Sequence, residues 1–305
     1  MFLNKKVLIT GHTGFKGSWM SLILMTFGAK IIGYSISVPN KNCLYNFIKD
    51  IFYRDYRGNI LNKKKIELIL SKEKPDYIFH FAAQPIVSES YKDPVSTFAV
   101  NSLGSLNLLD AVRNTLSRAV VVMITSDKVY KNNEWVWGYR ENDQLGGIDP
   151  YSASKAMTEI GINSYIKSFF KNNNVCVTTV RAGNVIGGGD WSANRIVPDT
   201  IKSALKNRKV LLRSPKSIRP WQHVFEPLSG YINLSLKIKK LKLNNESFNF
   251  GPDPSLTFTV ENVVKKMSEY WSQIKWKSNN QNSNQMYESK LLSLDYSKAN
   301  HILKW

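Results

Sequence analysis

The stretch TSDKVY, which begins at Thr125, places an acid and an amine side by side after an apolar run. The run before it, AVVVMI, is typical of a buried strand, so Asp127 and Lys128 are predicted to lie where that strand ends. Ser126 adds a hydroxyl group directly before them. Such a set can protonate one substrate atom and deprotonate its neighbour. A simple surface ion pair is the alternative interpretation of the two charges.

A tyrosine and a lysine follow in the sequence YSASK. Tyr151 and Lys155 are one helical turn apart, so on a helix they lie on the same face. A nearby ammonium group favours tyrosinate, and we therefore expect Lys155 to lower the pKa of Tyr151. Tyr151 is a candidate base for a substrate hydroxyl group, although the spacing alone is common.

A glycine-rich loop, TGHTGFKG, spans residues 10–17 between a predicted strand and a predicted helix. Its glycines permit a tight turn and a close approach of the backbone to a pyrophosphate, and the helix N-terminus supplies free N–H groups. His12 is interpreted as a spacer beside the phosphates. The loop predicts a dinucleotide site whose cofactor-binding residues are Gly11, Thr13, Gly14, Phe15 and Gly17.

The adenosine end of this site is less well defined by the sequence. The second predicted strand ends in GYSIS, without an Asp or Glu to hold a ribose hydroxyl, and this leaves NAD and NADP both open. Arg54, Arg57 and Asn59 lie further along the chain. All three are candidates for contact with the adenosine, and Asn59 is included among the predicted cofactor-binding residues.

The elements that must position these groups alternate between strand and helix. KKVLIT, KIIGYSI, DYIFHFAA, AVVVMITS and VCVTTVRA are predicted strands, and long segments with helical periodicity separate several of them. Gly28 is expected to end the first helix. This alternation predicts an α/β protein with a Rossmann-type doubly wound parallel sheet and a smaller mixed α/β substrate-binding domain.

The predicted domains are discontinuous in the sequence. Residues 1–182 with 222–252 are assigned to the Rossmann domain that binds the dinucleotide. Residues 183–221 with 253–305 are assigned to the substrate domain, where the strand–helix pattern loosens. Ligands in such folds bind at the carboxyl ends of the strands, so the second domain is expected to cover that edge. The polar segment 276–286 is predicted to be a loop.

Composition narrows the class of protein. The chain has 305 residues and a formal net charge of +19, but its lysines are scattered without interleaved aromatics, so nucleic-acid binding is not predicted. The sequence holds neither an apolar run of membrane-spanning length nor a residue spacing typical of a metal site. Cys43 and Cys176 are interpreted as free thiols of a cytoplasmic protein.

Longer stretches around these motifs carry a family resemblance. TSDKVYKNNEWVWGYRENDQLGGIDPYSASK, RAGNVIGGGDWSANRIVPD and RPWQHVFEPLSGY resemble the sugar-nucleotide dehydratase and epimerase group of the extended short-chain dehydrogenases/reductases. They are most similar to the 4,6-dehydratases that act on CDP-glucose. The resemblance implies that Tyr151 removes a hydroxyl proton while a hydride passes to the nicotinamide, and that Lys155 binds the nicotinamide ribose. Ser126 or Thr125 would contact the reacting hydroxyl.

The same resemblance implies a reaction and a cofactor. CDP-D-glucose would become CDP-4-keto-6-deoxy-D-glucose by oxidation at C4, loss of water across C5–C6 and return of the hydride to C6. The net reaction uses no reductant, which implies tightly held NAD and resolves the choice left open by the second strand. Asp127 would be the acid that protonates the leaving hydroxyl, and Lys128 the base that removes the C5 proton.

The resemblance also implies further cofactor-binding and substrate-binding residues, at positions that match those of the family. The residues assigned to the cofactor at strand ends are Ala82, Ala83, Gln84 and Thr125, and those assigned to the substrate are Asn184, Arg195 and Arg219. Helices beginning near Pro94 and Ser152 would form a homodimer interface. One departure concerns the base, because this chain has Asp-Lys where the better-known relatives have Asp-Glu. A lysine that acts as a base must first lose its proton.

Three other functions stay open at this point. A sugar-nucleotide 4-epimerase would keep the tyrosine, the lysine and the glycine loop but has no use for the Asp-Lys pair. A dehydratase of UDP- or dTDP-sugars would differ only in its base pocket. Family members usually continue beyond the last segment, LLSLDYSKANHILKW, so a truncated protein that binds nucleotides without catalysis is the alternative from another class.

Overall fold

A computed structural model of the chain describes residues 1–170, 174–253, 255–256, 258–278 and 289–305. Its strands, numbered in chain order, are β1 (Lys6–Thr10), β2 (Lys30–Ser35), β3 (Arg54–Arg57), β4 (Tyr77–His80), β5 (Arg118–Ile124), β6 (Asn174–Ala182), β7 (Val185–Ile186), β8 (Val210–Leu212), β9 (Ile218–Arg219), β10 (Gln222–His223), β11 (Ser247–Phe250), β12 (Phe258–Thr259) and β13 (Trp276–Ser278). The helices are α1 (Phe15–Thr26), α2 (Tyr45–Ile48), α3 (Lys63–Glu73), α4 (Val87–Lys92), α5 (Pro94–Phe98), α6 (Gly104–Thr115), α7 (Pro150–Phe169), α8 (Ile196–Leu205), α9 (Phe225–Lys237), α10 (Val260–Tyr270) and α11 (Ser297–Leu303).

A parallel sheet of seven strands forms the centre of the molecule. Its order is β11-β6-β5-β4-β1-β2-β3, and every pairing within it is parallel. The chain starts in the middle at β1, extends to β3 on one side and then crosses over to β4 on the other. The direction of winding therefore reverses between β1 and β4, and the adjacent strand ends form the crevice in which such folds bind ligands.

Two apolar layers cover the two faces of this sheet. Successive residues of a strand point to opposite faces, so Val120, Val122 and Ile124 join one core cluster while Val121 and Met123 join the other. The first cluster also takes apolar residues from α1, α9 and α11, and the second takes them from α3, α6 and α7. This explains the near-continuous apolar sequence of the central strands.

The start of α7 is fixed by local sequence. Asp149 caps the helix by accepting a hydrogen bond from the N–H of Ser152, at 2.9 Å, and Pro150 occupies the first turn, where a missing N–H costs nothing. Tyr151 consequently lies in the first turn, next to the carboxyl ends of the strands.

The helix that the sequence places near Pro94 is a composite of several helical segments. Helices α5 and α6 are joined by a π-helical stretch at 99–103, and Asn101 within it is fully buried. Its side-chain nitrogen donates to the carbonyl of Gln84 at 3.2 Å and to the hydroxyl of Ser154 at 2.9 Å. A local widening of a helix is common at functional sites. Here it allows one polar side chain to join the strand end after β4 to α7.

The predicted fold class is confirmed. The five predicted strands are present as β1, β2, β4, β5 and β6, and Gly28 follows the first helix with φ +84°, as a helix-terminating glycine does. The edge strand β3 and helices α3 and α9 had no individual prediction. Of the predicted loop at 276–286, residues 276–278 instead form β13, paired with β8, and the remainder lies outside the described residues. No helix among the described residues is long and apolar enough to cross a membrane.

Candidate active site

A cleft of about 1380 Å³ runs along the carboxyl ends of the central strands. Its walls come from the glycine loop after β1, the segments after β4, β5 and β6, the start of α7 and the residues around α8. A pocket for one drug-sized ligand is about 300–1,000 Å³. The volume of this cleft therefore suits more than one ligand, such as a dinucleotide and a second nucleotide.

The glycine loop forms a cradle whose close backbone packing leaves no room for side chains at two of its glycines. Gly11 has φ +74°, and a Cβ there would lie 2.7 Å from the backbone N of Ala82. A Cβ at Gly17 would lie 2.3 Å from the carbonyl oxygen of Gly11. Gly14 occupies the N-cap of α1, so the free N–H groups of that helix face the loop. The geometry fits a dinucleotide pyrophosphate, as the sequence predicts.

The residues between these glycines are held by the end of β2. The hydroxyl of Thr13 donates to the carbonyl of Ser37 at 2.7 Å, and the Thr13 N–H donates to Ser35 Oγ at 3.3 Å. Phe15 opens α1 and lines the cleft. His12 is buried behind the loop, where its ring lies 2.9 Å from Ser35 Oγ, and burial lowers its pKa to about 4. A neutral His12 supports the interpretation of a spacer.

The predicted adenosine contacts are only partly directed into the cleft. Asn59 lines it, but its side-chain oxygen accepts a hydrogen bond from the N–H of Leu61 at 2.9 Å. The Arg57 guanidinium forms an ion pair with Asp55, and the Arg54 guanidinium stacks on the ring of Tyr53. The assignment of Asn59 to the cofactor stays a prediction.

The strand end after β4 lies against the glycine cradle. Ala82 and Ala83 line the cleft beside Gly11. Gln84 also lines it, but its side chain is held within the protein, because its amide nitrogen donates to Thr97 Oγ1 at 2.9 Å. The backbone N–H and carbonyl of Gln84 are also engaged, by Asn101, so the assignment of Gln84 to the cofactor stays a prediction.

Tyr151 and Lys155 lie on the cleft side of α7, as their spacing predicts. Burial raises the pKa of Tyr151 to about 12, although a hydrogen bond with Ser126 and the charge of Arg195 oppose the shift. The predicted lowering by Lys155 is therefore wrong in direction, because desolvation of the phenolate outweighs attraction by nearby cations. Burial also lowers the pKa of Lys155 to about 8, and the carboxylate of Glu159 moderates that change.

Ser126, Asp127 and Lys128 form a compact turn after β5. Ser126 Oγ donates to Asp127 Oδ1 at 2.9 Å and accepts the N–H of Lys128 at 3.2 Å. Asp127 is buried, and its second oxygen, Oδ2, has no hydrogen-bond partner among the described residues. All three residues line the cleft. Because Ser126 also contacts Tyr151, one hydroxyl links the candidate base to the candidate acid.

The hydroxyl of Thr125 faces the protein interior instead. Thr125 Oγ1 donates to Glu159 Oε1 at 2.5 Å, and Glu159 accepts two further bonds from the guanidinium of Arg181, at 2.9 and 3.0 Å. Both charged side chains are only 3% exposed. Burial raises the pKa of Glu159, but Arg181 and the hydrogen bonds prevail and the net shift is downward. Ser126, rather than Thr125, therefore offers its hydroxyl to the cleft.

Removing the charge of Glu159 is expected to destabilise the fold strongly. Glu159→Gln leaves the Arg181 guanidinium buried without a counter-charge, and such a loss costs about 3–5 kcal/mol of unfolding free energy. Urea unfolding of the purified variant measures this. The double variant Glu159→Met/Arg181→Met should recover most of the loss, whereas Glu269→Gln, in an exposed ion pair with Lys266, should have little effect. Equal stability of Glu159→Gln and the unmodified protein would contradict the assignment.

The predicted substrate residues all line the far part of the cleft. Asn184 follows β6, and Arg195 precedes α8 and pairs with Asp190 at 2.8 Å. Arg219 lies on β9 with only 6% of its surface exposed, and its guanidinium donates to the carbonyl of Ile218 at 2.9 Å. Two guanidinium groups in one cleft suit a diphosphate. Their assignment to the substrate stays a prediction.

Sequence reasoning missed three residues at or behind this site. Lys16, in the glycine loop, lines the cleft near Asp127 and Arg195, and burial lowers its pKa to about 8. Asn101 and Glu159 support the strand ends from behind. Glu159 could have been found, because it follows Lys155 by one further helical turn on the same face. The buried π-helical position of Asn101 left no signal in the sequence.

Known proteins share both the sequence and the fold. The model of the GDP-mannose 4,6 dehydratase family matches residues 8–305. The CDP-glucose 4,6-dehydratase of Salmonella typhimurium is 43% identical over 99% of this chain and 86% of its own length. Two solved structures share the fold. UDP-glucose 4-epimerase of Thermotoga maritima has a TM-score of 0.83 at 23% identity, covering 98% of this chain and 93% of its own. The dTDP-glucose 4,6-dehydratase of Bacillus anthracis, solved with NAD, has a TM-score of 0.81 at 21% identity. The match covers 99% of this chain and 91% of that one.

These matches confirm the resemblance found in the sequence. The family match and the curated relative both extend over nearly the whole chain, including the glycine loop, the turn at Ser126 and the start of α7. The chain belongs to the GDP-mannose 4,6 dehydratase family, among the sugar-nucleotide dehydratases and epimerases of the extended short-chain dehydrogenases/reductases.

Proposed function

We propose that this protein converts CDP-D-glucose into CDP-4-keto-6-deoxy-D-glucose with bound NAD. The observation that carries the proposal is the turn after β5, where an acid and an amine share one end of the cleft with Tyr151. An epimerase has no use for that pair. The CDP-glucose dehydratase from Salmonella typhimurium, 43% identical, supports the choice of nucleotide.

NAD fits the glycine cradle, because Gly11, Gly14 and Gly17 line the cleft and the N-terminus of α1 begins at the loop. When bound, NAD supplies the acceptor for the hydride from C4 and later the donor of that hydride to C6. Lys155 and the N–H groups at the start of α1 would hold it. Tyr151 takes the proton of the 4-hydroxyl, for which it must become tyrosinate, and the positive charges of Lys155 and the cofactor favour that form.

Asp127 and Lys128 catalyse the elimination of water. Neutral Lys128 removes the proton from C5, the C5–C6 double bond forms, and the C6–O bond breaks as Asp127 gives its proton to the leaving oxygen. Water departs, and Lys128 later returns its proton to C5. Ser126 contacts both Tyr151 and Asp127, so the proton taken from the 4-hydroxyl can restore the acid through its hydroxyl. The protons then balance without an outside donor.

The remaining cleft would hold the nucleotide. We assign the diphosphate to Arg195 and Arg219 and the hexose side to Asn184, all of which line this region. We also propose the domain division 1–182 with 222–252 and 183–221 with 253–305, except that α11 packs on the central sheet and is therefore assigned to the first domain. The pairing of β11 with β6 supports it, since that strand extends the central sheet. Both cysteines are free thiols, which supports the proposal that the protein works in the cytoplasm.

Product masses test the reaction. The purified protein is incubated with NAD and, in separate samples, CDP-, UDP- and dTDP-glucose. We expect the CDP sugar alone to lose one water. Loss of water from another sugar instead would show that the substrate carries that nucleotide. An unchanged mass together with a new stereoisomer would show that the protein is an epimerase.

We propose that the protein is a homodimer formed through α5, α6 and α7. The outer faces of this helical layer carry exposed apolar residues, namely Val95, Leu103, Met157 and Ile160, which are 77%, 51%, 45% and 61% exposed. Such a patch on a soluble protein indicates a contact surface. Light scattering should give twice the mass of one chain, and Ile160→Asp should give a monomer. Leu68→Asp, at an exposed site on α3, is the control, and a monomeric unmodified protein would contradict the proposal.

A further inference from the structure

Five buried side-chain polar atoms in the described part of the chain have no hydrogen-bond partner, and two of them belong to the candidate acid and to a tyrosine of α9. One is Oδ2 of Asp127, and the other is the hydroxyl oxygen of Tyr231. Tyr231 is fully buried and Asp127 is 3% exposed. Buried polar groups are nearly always hydrogen-bonded, and each exception in a native structure calls for an explanation.

Tyr231 lies on the floor of the site. It projects from α9, which packs on the sheet face under β5, the strand that leads into Asp127. Its ring lies between Phe81, 6.3 Å away after the end of β4, and Phe250, 5.4 Å away at the end of β11. In the sheet order, β5 runs between these two strands. The phenol is therefore placed beneath the carboxyl ends of the strands, on the side away from the ligand.

The electrostatics link the two side chains. Burial raises the pKa of Tyr231, and the negative charge of Asp127 raises it further. Asp127 is the charged group that acts on this hydroxyl. Both effects favour the neutral phenol over the phenolate. A neutral phenol always has an O–H to donate.

We propose that Tyr231 is a positioning residue for Asp127. The two groups are not hydrogen-bonded in this structure, and the phenol donates to Oδ2 once this carboxyl group becomes charged. The inference rests on the proposed function, because it assigns Asp127 the role of acid. Tyr231 does not line the cleft, so it acts on the substrate only through Asp127.

The chemical need arises at the elimination step. When Asp127 gives its proton to the leaving oxygen, a carboxylate forms at a buried position, where a charge without partners is costly. Ser126 Oγ already donates to Oδ1 at 2.9 Å. A second donor at Oδ2 would satisfy the other oxygen, and its bond strengthens as negative charge develops. Donors aimed at charge that appears in the transition state are an effective form of catalysis.

This role predicts a selective defect. Tyr231→Phe keeps the ring that packs between Phe81 and Phe250 and removes only the donor. We expect water loss to slow by about 10- to 100-fold, the effect of losing one hydrogen bond to a charged group. Oxidation at C4 does not involve Asp127 and should keep its rate. Reduced cofactor should therefore build up after mixing with CDP-glucose.

Tyr56→Phe is the matched control. Its hydroxyl also donates to a carboxylate, Glu73 Oε1, at 2.7 Å, but it lies on β3 and outside the cleft. That variant should lose water at the normal rate and accumulate no reduced cofactor. Equal slowing of both steps in Tyr231→Phe, or no slowing of either, would overturn the proposal.

Infrared spectroscopy tests the contact between Tyr231 and Asp127 without requiring enzymatic turnover. The carboxylate stretch of ionised Asp127 is identified as the band that disappears during an acid titration and is missing from Asp127→Asn. It should move in Tyr231→Phe and stay in place in Tyr56→Phe, because its frequency depends on hydrogen bonding. An unmoved band would overturn the proposed contact. A moved band in a protein that dehydrates no sugar would support the contact while rejecting the proposed function.

Discussion

Replacing Asp127 by Asn is expected to suppress water loss while leaving oxidation at C4 intact. Asparagine keeps the shape of the side chain and can still accept the hydrogen bond from Ser126, which is 2.9 Å long in the native turn. It has no acidic proton for the leaving oxygen. General acid catalysis contributes about 10²- to 10⁴-fold, and we expect the rate of water loss to fall by that factor.

Two signals measured on one sample test this prediction. Product mass reports the loss of water, and absorbance of the reduced cofactor reports the preceding oxidation. The absorbance should rise and persist in Asp127→Asn. Asp110→Asn, in a surface ion pair with Lys63, is the control and should behave as the unmodified protein. Normal water loss in Asp127→Asn would remove Asp127 from the mechanism.

Replacing Tyr151 by Phe is expected to stop the reaction one step earlier. The phenol is the group placed to take the proton of the 4-hydroxyl, and losing a general base costs about 10²- to 10⁴-fold in rate. Reduced cofactor should then fail to appear, in contrast to Asp127→Asn. Stopped-flow absorbance after mixing with CDP-glucose and NAD measures this.

The pH dependence of that step provides its control. Because burial raises the pKa of Tyr151 to about 12, the tyrosinate fraction in the protein alone grows with pH up to that value. The rate of oxidation should therefore increase with pH wherever the phenol must still ionise, and Tyr151→Phe should lose this dependence. Rapid oxidation by Tyr151→Phe would show that another group is the base.

Much of the fold could be predicted from the sequence because each signal is local. Apolar runs such as AVVVMI define strands buried on both faces, and Gly11, Gly14 and Gly17 define a tight turn between a strand and a helix. Asp149 and Pro150 fix the start of α7, so the spacing of YSASK translates directly into a shared helix face. These parts need no knowledge of distant residues.

The interior of the site could not be predicted, because it depends on contacts between distant parts of the chain. Arg181 reaches Glu159 from β6, and Tyr231 of α9 joins the apolar layer under the central strands. The direction of the Tyr151 pKa shift also depends on burial by the whole fold. A motif shows which charged residues lie nearby in the sequence, but it does not show how deeply the fold buries them.

The central claim is that one hydride leaves C4 and returns to C6 of the same sugar. The direct measurement uses CDP-glucose carrying deuterium at C4, with NMR and mass analysis of the product formed in the presence of unlabelled NAD. The account predicts loss of one water and deuterium in the methyl group at C6. A product that keeps deuterium at C4, loses no water and has the inverted configuration at C4 would contradict it and establish an epimerase.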